Sequence, residues 1–448
     1  MRTTLILADA VVALDAGDTI HRPGYVAVAD ERIVGIGPRA ALGGSLSFTP
    51  DGLPVDEIVD LQGHLVMPGL VNAHAHTPMV LFRGLAEAYS LFTWEGWYNG
   101  IRVWEEVMDG GMVPPAVAVS CAEMIRTGTT CFADQYFYMD RVTPVVRQSG
   151  LRACLAYGIV EMGDAGARER EIASATTFLE SVQGDGRIKG WIGPHAFFVD
   201  NSPEAIELEL ALADRFDAGL HIHLATSGEE ERHCQATYGR SAVQQMALLG
   251  ILDRPLLAAH SITIPEEDFP TLAAHPFTAV IAGSACMRSG AGIAAVRGMR
   301  DVGVNTALGT DNVANNNSYD LFNEMQTTAK LAAQREQTPN VVKAREILEM
   351  ATAGGALALG LDSQIGSLEV GKLADLISLD LKEIGWGPAG GQDLYTALVY
   401  SVNGSYVRDV MVDGQWLFRD GAWTTLDYQG ACRELDAACR ELMARRKS

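Results

Sequence analysis

Val66-Met67-Pro68-Gly69-Leu70-Val71-Asn72-Ala73-His74-Ala75-His76 is an apolar run that ends in two histidines at i and i+2. On a β-strand such residues face the same side, with Cα atoms roughly 6.6 Å apart. Two imidazoles at that spacing can reach one metal ion, each at about 2.1 Å. A polar tip on an otherwise buried strand serves no packing purpose, whereas the rim of a catalytic barrel needs one.

Outward from this stretch, apolar runs alternate with helical patterns. Candidate strands fall at 65–73, 130–135, 152–159, 188–196, 219–225, 256–261, 277–284 and 304–311. Helical segments between them include 115–127, 203–216, 240–249 and 291–302. Eightfold strand–helix alternation predicts an α/β fold, a TIM-like (β/α)8 barrel, whose active site lies at the C-terminal strand ends. Those ends carry His74 and His76, Asp134 and Gln135, His195, His221 and His223, His260, and Asp311. Only His21, His64, His233 and His275, of ten histidines, lie elsewhere.

Before the barrel, 3–8, 25–29 and 33–36 read as short strands separated by turns. After it come a helix at 344–359, a Gly turn leading to a strand near 376–380, and a hairpin over 406–418 turning at Asp413-Gly414. The expected organisation is therefore a β-domain begun by 1–62 and completed by 365–425, forming a small composite β-sandwich. The barrel is expected over 63–364 and a terminal helix within 426–448.

Composition narrows the function. The 448 residues are 48% hydrophobic and 20% charged, ordinary for a globular enzyme. A net charge of -22 opposes binding to nucleic acid or an anionic membrane. No apolar run reaches the roughly 18 residues that span a bilayer. The apolar part of Met1–Leu7 is too short for a signal peptide. Seven scattered cysteines without a CxxC point to reduced thiols and a cytoplasmic protein.

His74, His76, His223 and Asp311 make a set of three imidazoles and a carboxylate with room for water, as in a catalytic zinc-type site. Such an ion lowers the pKa of bound water to about 7, and Asp311 can accept that water's proton. His260 is placed to polarise the water or the attacked carbon, with a hydrogen-bonded core histidine the competing reading. Zn2+ leads among the candidate ions, and Fe2+ and Mn2+ suit the same ligands.

These motifs resemble the amidohydrolase superfamily, in the branch holding S-adenosylhomocysteine/methylthioadenosine deaminases, guanine and cytosine deaminases, and triazine hydrolases. Residues 68–76 resemble its PGxxNxHxH signature and 78–87 the substrate-side loop of nucleoside deaminases. Residues 309–318 resemble GTDxxxSNN, and 366–375 resemble GSLExGKxAD. The resemblance implies one metal held by His74, His76, His223 and Asp311, assisted by His260. It also implies a homodimer or higher homo-oligomer, and a small heterocyclic substrate attacked at an sp2 carbon, most often losing ammonia.

Two departures matter. The family's fifth-strand HxxE places a proton-shuttling glutamate where this chain has Thr226, whose hydroxyl does not titrate near neutrality. That favours either a substitute carboxylate or a leaving group such as halide, thiolate or alkylamine that departs without the shuttle. Glu229 and Glu230 follow, and they read as a solvated helix start. Residues 282–290 replace a Pro-Ser-Asn-Lys-type run, and Arg288 there is a candidate contact to an anionic part of the substrate, or a surface arginine. Trp94 is a candidate stacking face and Glu87 a candidate hydrogen-bonding partner. His195 matches a histidine that lies near the substrate in nucleoside deaminases. A catalytically silent barrel would require loss of the metal ligands, and all four are present.

Overall fold

The computed structural model describes residues 2–43, 46–387 and 393–447. Met1 and Ser448, the outer bounds of the expected segments, lie outside them.

Eight parallel strands form the catalytic layer: β1 (Leu70–Ala75), β2 (Thr129–Tyr136), β3 (Arg152–Ile159), β4 (Ile188–Pro194), β5 (Leu220–Leu224), β6 (Leu256–His260), β7 (Phe277–Ile281) and β8 (Asn305–Leu308). They hydrogen-bond in chain order. Nearly every strand residue is buried, because helices cover the outer face and side chains fill the interior. Local signals set the helices. Before Pro203–Phe216, the Ser202 side chain accepts from the Ala205 N–H at 3.2 Å, Pro203 supplies a first-turn φ, and Asp217 ends the helix in a left-handed conformation.

The seam between β8 and β1 closes through specific polar contacts. The Asp311 N–H donates to the His74 carbonyl at 3.0 Å. Asn72 accepts from the Thr310 N–H at 3.0 Å and donates to Thr310 Oγ1 at 2.7 Å. Closure and site assembly therefore share the same residues.

The expected strand at 65–73 divides at Gly69. Residues up to Pro68 end a strand, Glu57–Pro68, of the smaller sheet. Pro68 has no N–H for a ladder, and a Cβ on Gly69 would lie 2.1 Å from Thr130 Oγ1, so only glycine fits where the chain turns into the barrel. The expected strand at 277–284 stops at Ile281, and Gly283–Arg288 is helical. The expected helix at 344–359 is two, Ala344–Met350 and Ala353–Ala358.

The second sheet has nine strands drawn from both chain ends. Its halves join where Leu376–Asp380 pairs antiparallel with Glu57–Pro68, which also pairs in parallel with Thr3–Val12. Asp413 and Gly414 both adopt positive φ, 49° and 71°, as a tight hairpin requires. Arg152, at the base of β3 and 1% exposed, donates to both oxygens of Asp375 at 3.0 and 3.2 Å and pairs with Asp413. It fastens the barrel to the second sheet. The terminal helix, Tyr428–Lys447, packs on Val113–Arg126. Among the described residues no helix is long and apolar enough to cross a membrane, and all seven cysteines are unpaired.

Candidate active site

At the C-terminal strand ends the structure brings together His74, His76, His223, His260 and Asp311. His74 Nε2 and His76 Nε2 each lie 3.5 Å from Asp311 Oδ1, and His223 Nε2 lies 3.3 Å from His76 Nε2. Ligand atoms of His74, His76 and Asp311 lie within 4.8 Å of one another, as do those of His74, His223 and His260.

The outer nitrogens decide the tautomers. His76 Nδ1 meets the Gln135 carbonyl at 2.6 Å, and His223 Nδ1 meets the His195 carbonyl at 3.0 Å. A carbonyl only accepts, so both Nδ1 atoms carry protons and, in neutral rings, both Nε2 atoms present bare lone pairs. Two lone pairs facing each other at 3.3 Å repel unless a cation lies between them. His74 Nε2 is buried with no hydrogen-bond partner among the described residues. Burial, reinforced by the neighbouring imidazoles, holds His74 and His223 well below the usual histidine range. Burial pushes His260 down to about 4. The rings are thus neutral, the form that binds metal, and the donor set fits a divalent ion.

Neighbouring groups fix each candidate ligand. His74 Nδ1 lies 2.7 Å from His221 Nε2, so His221, a structural residue on the sequence reading, orients the candidate ligand His74. Asp311 adopts a positive φ of 59°. Its Oδ1 accepts from the Asn312 N–H at 2.7 Å and from Asn312 Nδ2 at 2.9 Å, and its Oδ2 accepts from Asn315 Nδ2 at 3.2 Å. His260 and Ser261 have consecutive positive φ values of 77° and 51°, local strain of the kind that accompanies functional loops. The Phe92 ring centroid lies 4.2 Å from that of His260.

One cavity opens onto this cluster. His76, His195, His223, His260, Asp311, Thr226 and Trp94 line it, together with Phe92, Trp97, Glu105, Asp200 and Glu230. Trp94 stands at its rim, 39% exposed. His195 pairs through Nδ1 with Asp200, whose other oxygen accepts from the Ala196 N–H at 3.0 Å. Glu87 and Arg288 are not among the cavity residues. Glu87 is exposed, and Arg288 donates to its carbonyl at 3.2 Å. Glu230 differs from the expected solvated helix start: it is 2% exposed, and its Oε1 accepts from the Ala225 N–H at 3.2 Å, one residue past β5.

The amidohydrolase family model matches residues 65–417. The chain belongs to the amidohydrolase family. This amidohydrolase is 35% identical over 419 residues to a 5-methylthioadenosine/S-adenosylhomocysteine deaminase of Pelotomaculum thermopropionicum, covering 93% of each chain. It is 37% identical over 407 residues to a 5'-deoxyadenosine deaminase of Methanosarcina acetivorans, covering 90% of this chain and 89% of that one. A solved adenosine deaminase from Xanthomonas campestris with bound zinc superposes with a TM-score of 0.90 at 29% identity, over 99% of this amidohydrolase and 98% of that chain. Atrazine chlorohydrolase from Arthrobacter aurescens, complexed with zinc, shares the fold at a TM-score of 0.85 and 22% identity, over 97% and 100% of the two chains.

Proposed function

We propose that this amidohydrolase is a zinc-dependent aminohydrolase that deaminates an adenine-type ring in a small nucleoside-like substrate. The observation that carries the reading is the pair of bare imidazole nitrogens, His76 Nε2 and His223 Nε2, facing each other at 3.3 Å beside the Asp311 carboxylate. His74, His76, His223 and Asp311 would hold the ion, which when bound lowers the pKa of water to about 7. Asp311 accepts the proton of the attacking water at its carboxylate. His260 donates a hydrogen bond that polarises the attacked centre. His195, oriented by Asp200, meets the edge of the ring, while Trp94 and Phe92 cover its faces and exclude water.

Thr226 favours a second reading, in which the leaving group departs unprotonated, as halide or thiolate does. The test is a screen of the metal-replete protein over purine nucleosides, pterins, pyrimidines and triazines, following ammonia and ring absorbance. Ammonia release from an adenosine-type substrate, abolished by chelation and restored by zinc, supports the proposal. Hydrolysis indifferent to chelation, or no hydrolysis of any aminated ring, overturns it.

A further inference from the structure

Expelling an amino group from an sp2 carbon requires a proton donor, because the amide anion is far too basic to leave. Five carboxylates line the cavity: Glu105, Asp200, Glu229, Glu230 and Asp311. Four of them are engaged or held by other groups. Glu105 accepts from Tyr136 Oη at 2.9 Å and pairs with Arg102 at 3.3 Å. Asp200 is shared between His195 and the Ala196 N–H. Asp311 is held by Asn312 and Asn315 and belongs to the ligand cluster. Glu229 is only half-buried and reaches toward the Trp94 N–H at 3.5 Å.

Glu230 differs from all of these. Its Oε1 accepts from the Ala225 N–H at 3.2 Å, which anchors the carboxyl beside the loop carrying Thr226. Its Oε2 is buried and has no hydrogen-bond partner among the described residues. A buried carboxylate oxygen without a donor is costly, and a protonated one carries its own O–H.

We propose that Glu230, reaching the cavity from the helix after β5, is the proton donor to the departing nitrogen and stands in for the carboxylate missing at Thr226. The inference rests on the aminohydrolase reading above. Burial, with the like charges of Glu229 and Asp200 facing it, pushes the Glu230 carboxyl up to about 7, so a protonated fraction persists near neutrality.

The step balances. The water oxygen bonds to the ring carbon as one water proton passes to Asp311. The Glu230 proton moves from Oε2 to the amino nitrogen. The carbon–nitrogen bond breaks with its electron pair leaving on nitrogen, and ammonia departs. The proton held by Asp311 then returns to Glu230 by exchange with solvent.

The test compares adenosine with 6-chloropurine riboside, whose chloride leaves without a proton. Glu230→Gln keeps an acceptor for the Ala225 N–H but cannot transfer a proton. With zinc content at wild-type level, the expected result is a fall of about 10²-fold or more in kcat for ammonia release, within the range for a lost general acid, and a fall of less than about tenfold for chloride release. Adding Thr226→Glu to Glu230→Gln is expected to recover ammonia release. Equal losses on both substrates, or no loss on adenosine, overturn the role of Glu230 while leaving the aminohydrolase reading intact. If Glu230→Gln does not fold, Glu230→Asp is measured in the same way, and the same unequal loss is required. A wild-type protein that releases chloride but no ammonia overturns both proposals.

Discussion

Replacing His221 by leucine should weaken zinc binding by about 10- to 100-fold, although His221 is not itself among the four proposed ligands. His74 is fully buried, and the partner of its Nδ1 is His221 Nε2 at 2.7 Å. Removing that partner loses a hydrogen bond worth about 0.5–1.5 kcal/mol and leaves a buried polar nitrogen that costs about 1–3 kcal/mol. Part of this cost appears in folding stability. The part that appears in binding, roughly 1.4–2.7 kcal/mol, is 10- to 100-fold in affinity. Leucine has a similar volume, so the site should not collapse. The assay is competition for zinc against a chromophoric chelator at neutral pH, with thermal melting of the metal-free variant as a folding control. A dissociation constant within threefold of wild type would refute the reasoning, because His74 would then need no partner to stay aligned.

Arg152→Met should destabilise the protein by about 3–5 kcal/mol, because it leaves Asp375 buried without its cation, while Asp413, partly exposed, keeps Arg187 at 3.2 Å. Denaturant unfolding followed at a small-sheet aromatic such as Trp416 would read this, and an unchanged midpoint would contradict it. Metal-free protein should also lose stability in acid. Burial lowers His260 from an ordinary value near 6.5 to about 4 in the folded state. Its contribution is therefore complete above about 6.5 and is lost as pH falls toward 4, on the order of 2 kcal/mol by pH 5. Urea midpoints at pH 8 and pH 5 check this, and equal midpoints would count against neutral buried rings.

The barrel and the ligand cluster were legible because parallel strands buried on both faces read as short apolar runs, and imidazoles at their tips have no packing purpose. His74, His76, His223 and Asp311 all stand out in this way. The break at Gly69 was hidden, since 65–71 is continuously apolar and the approach of Thr130 to Gly69, where the two sheets part, is a tertiary contact. Glu230 was hidden for the opposite reason. Three successive glutamates look like a solvated helix start, and burial of the second is a tertiary outcome that the sequence pattern does not carry. Asn72 and His221 act through partners 238 and 147 residues away, separations that no local periodicity reports. Thr226 was legible only as a missing carboxylate.

Anomalous scattering at the zinc edge, from crystals of protein purified with zinc, tests the central claim most directly. The account predicts a single peak per chain, about 2.1 Å from His74 Nε2, His76 Nε2 and His223 Nε2 and in contact with the Asp311 carboxylate. A zinc-replete crystal with no peak among these residues, or with its peak elsewhere on the chain, would contradict it.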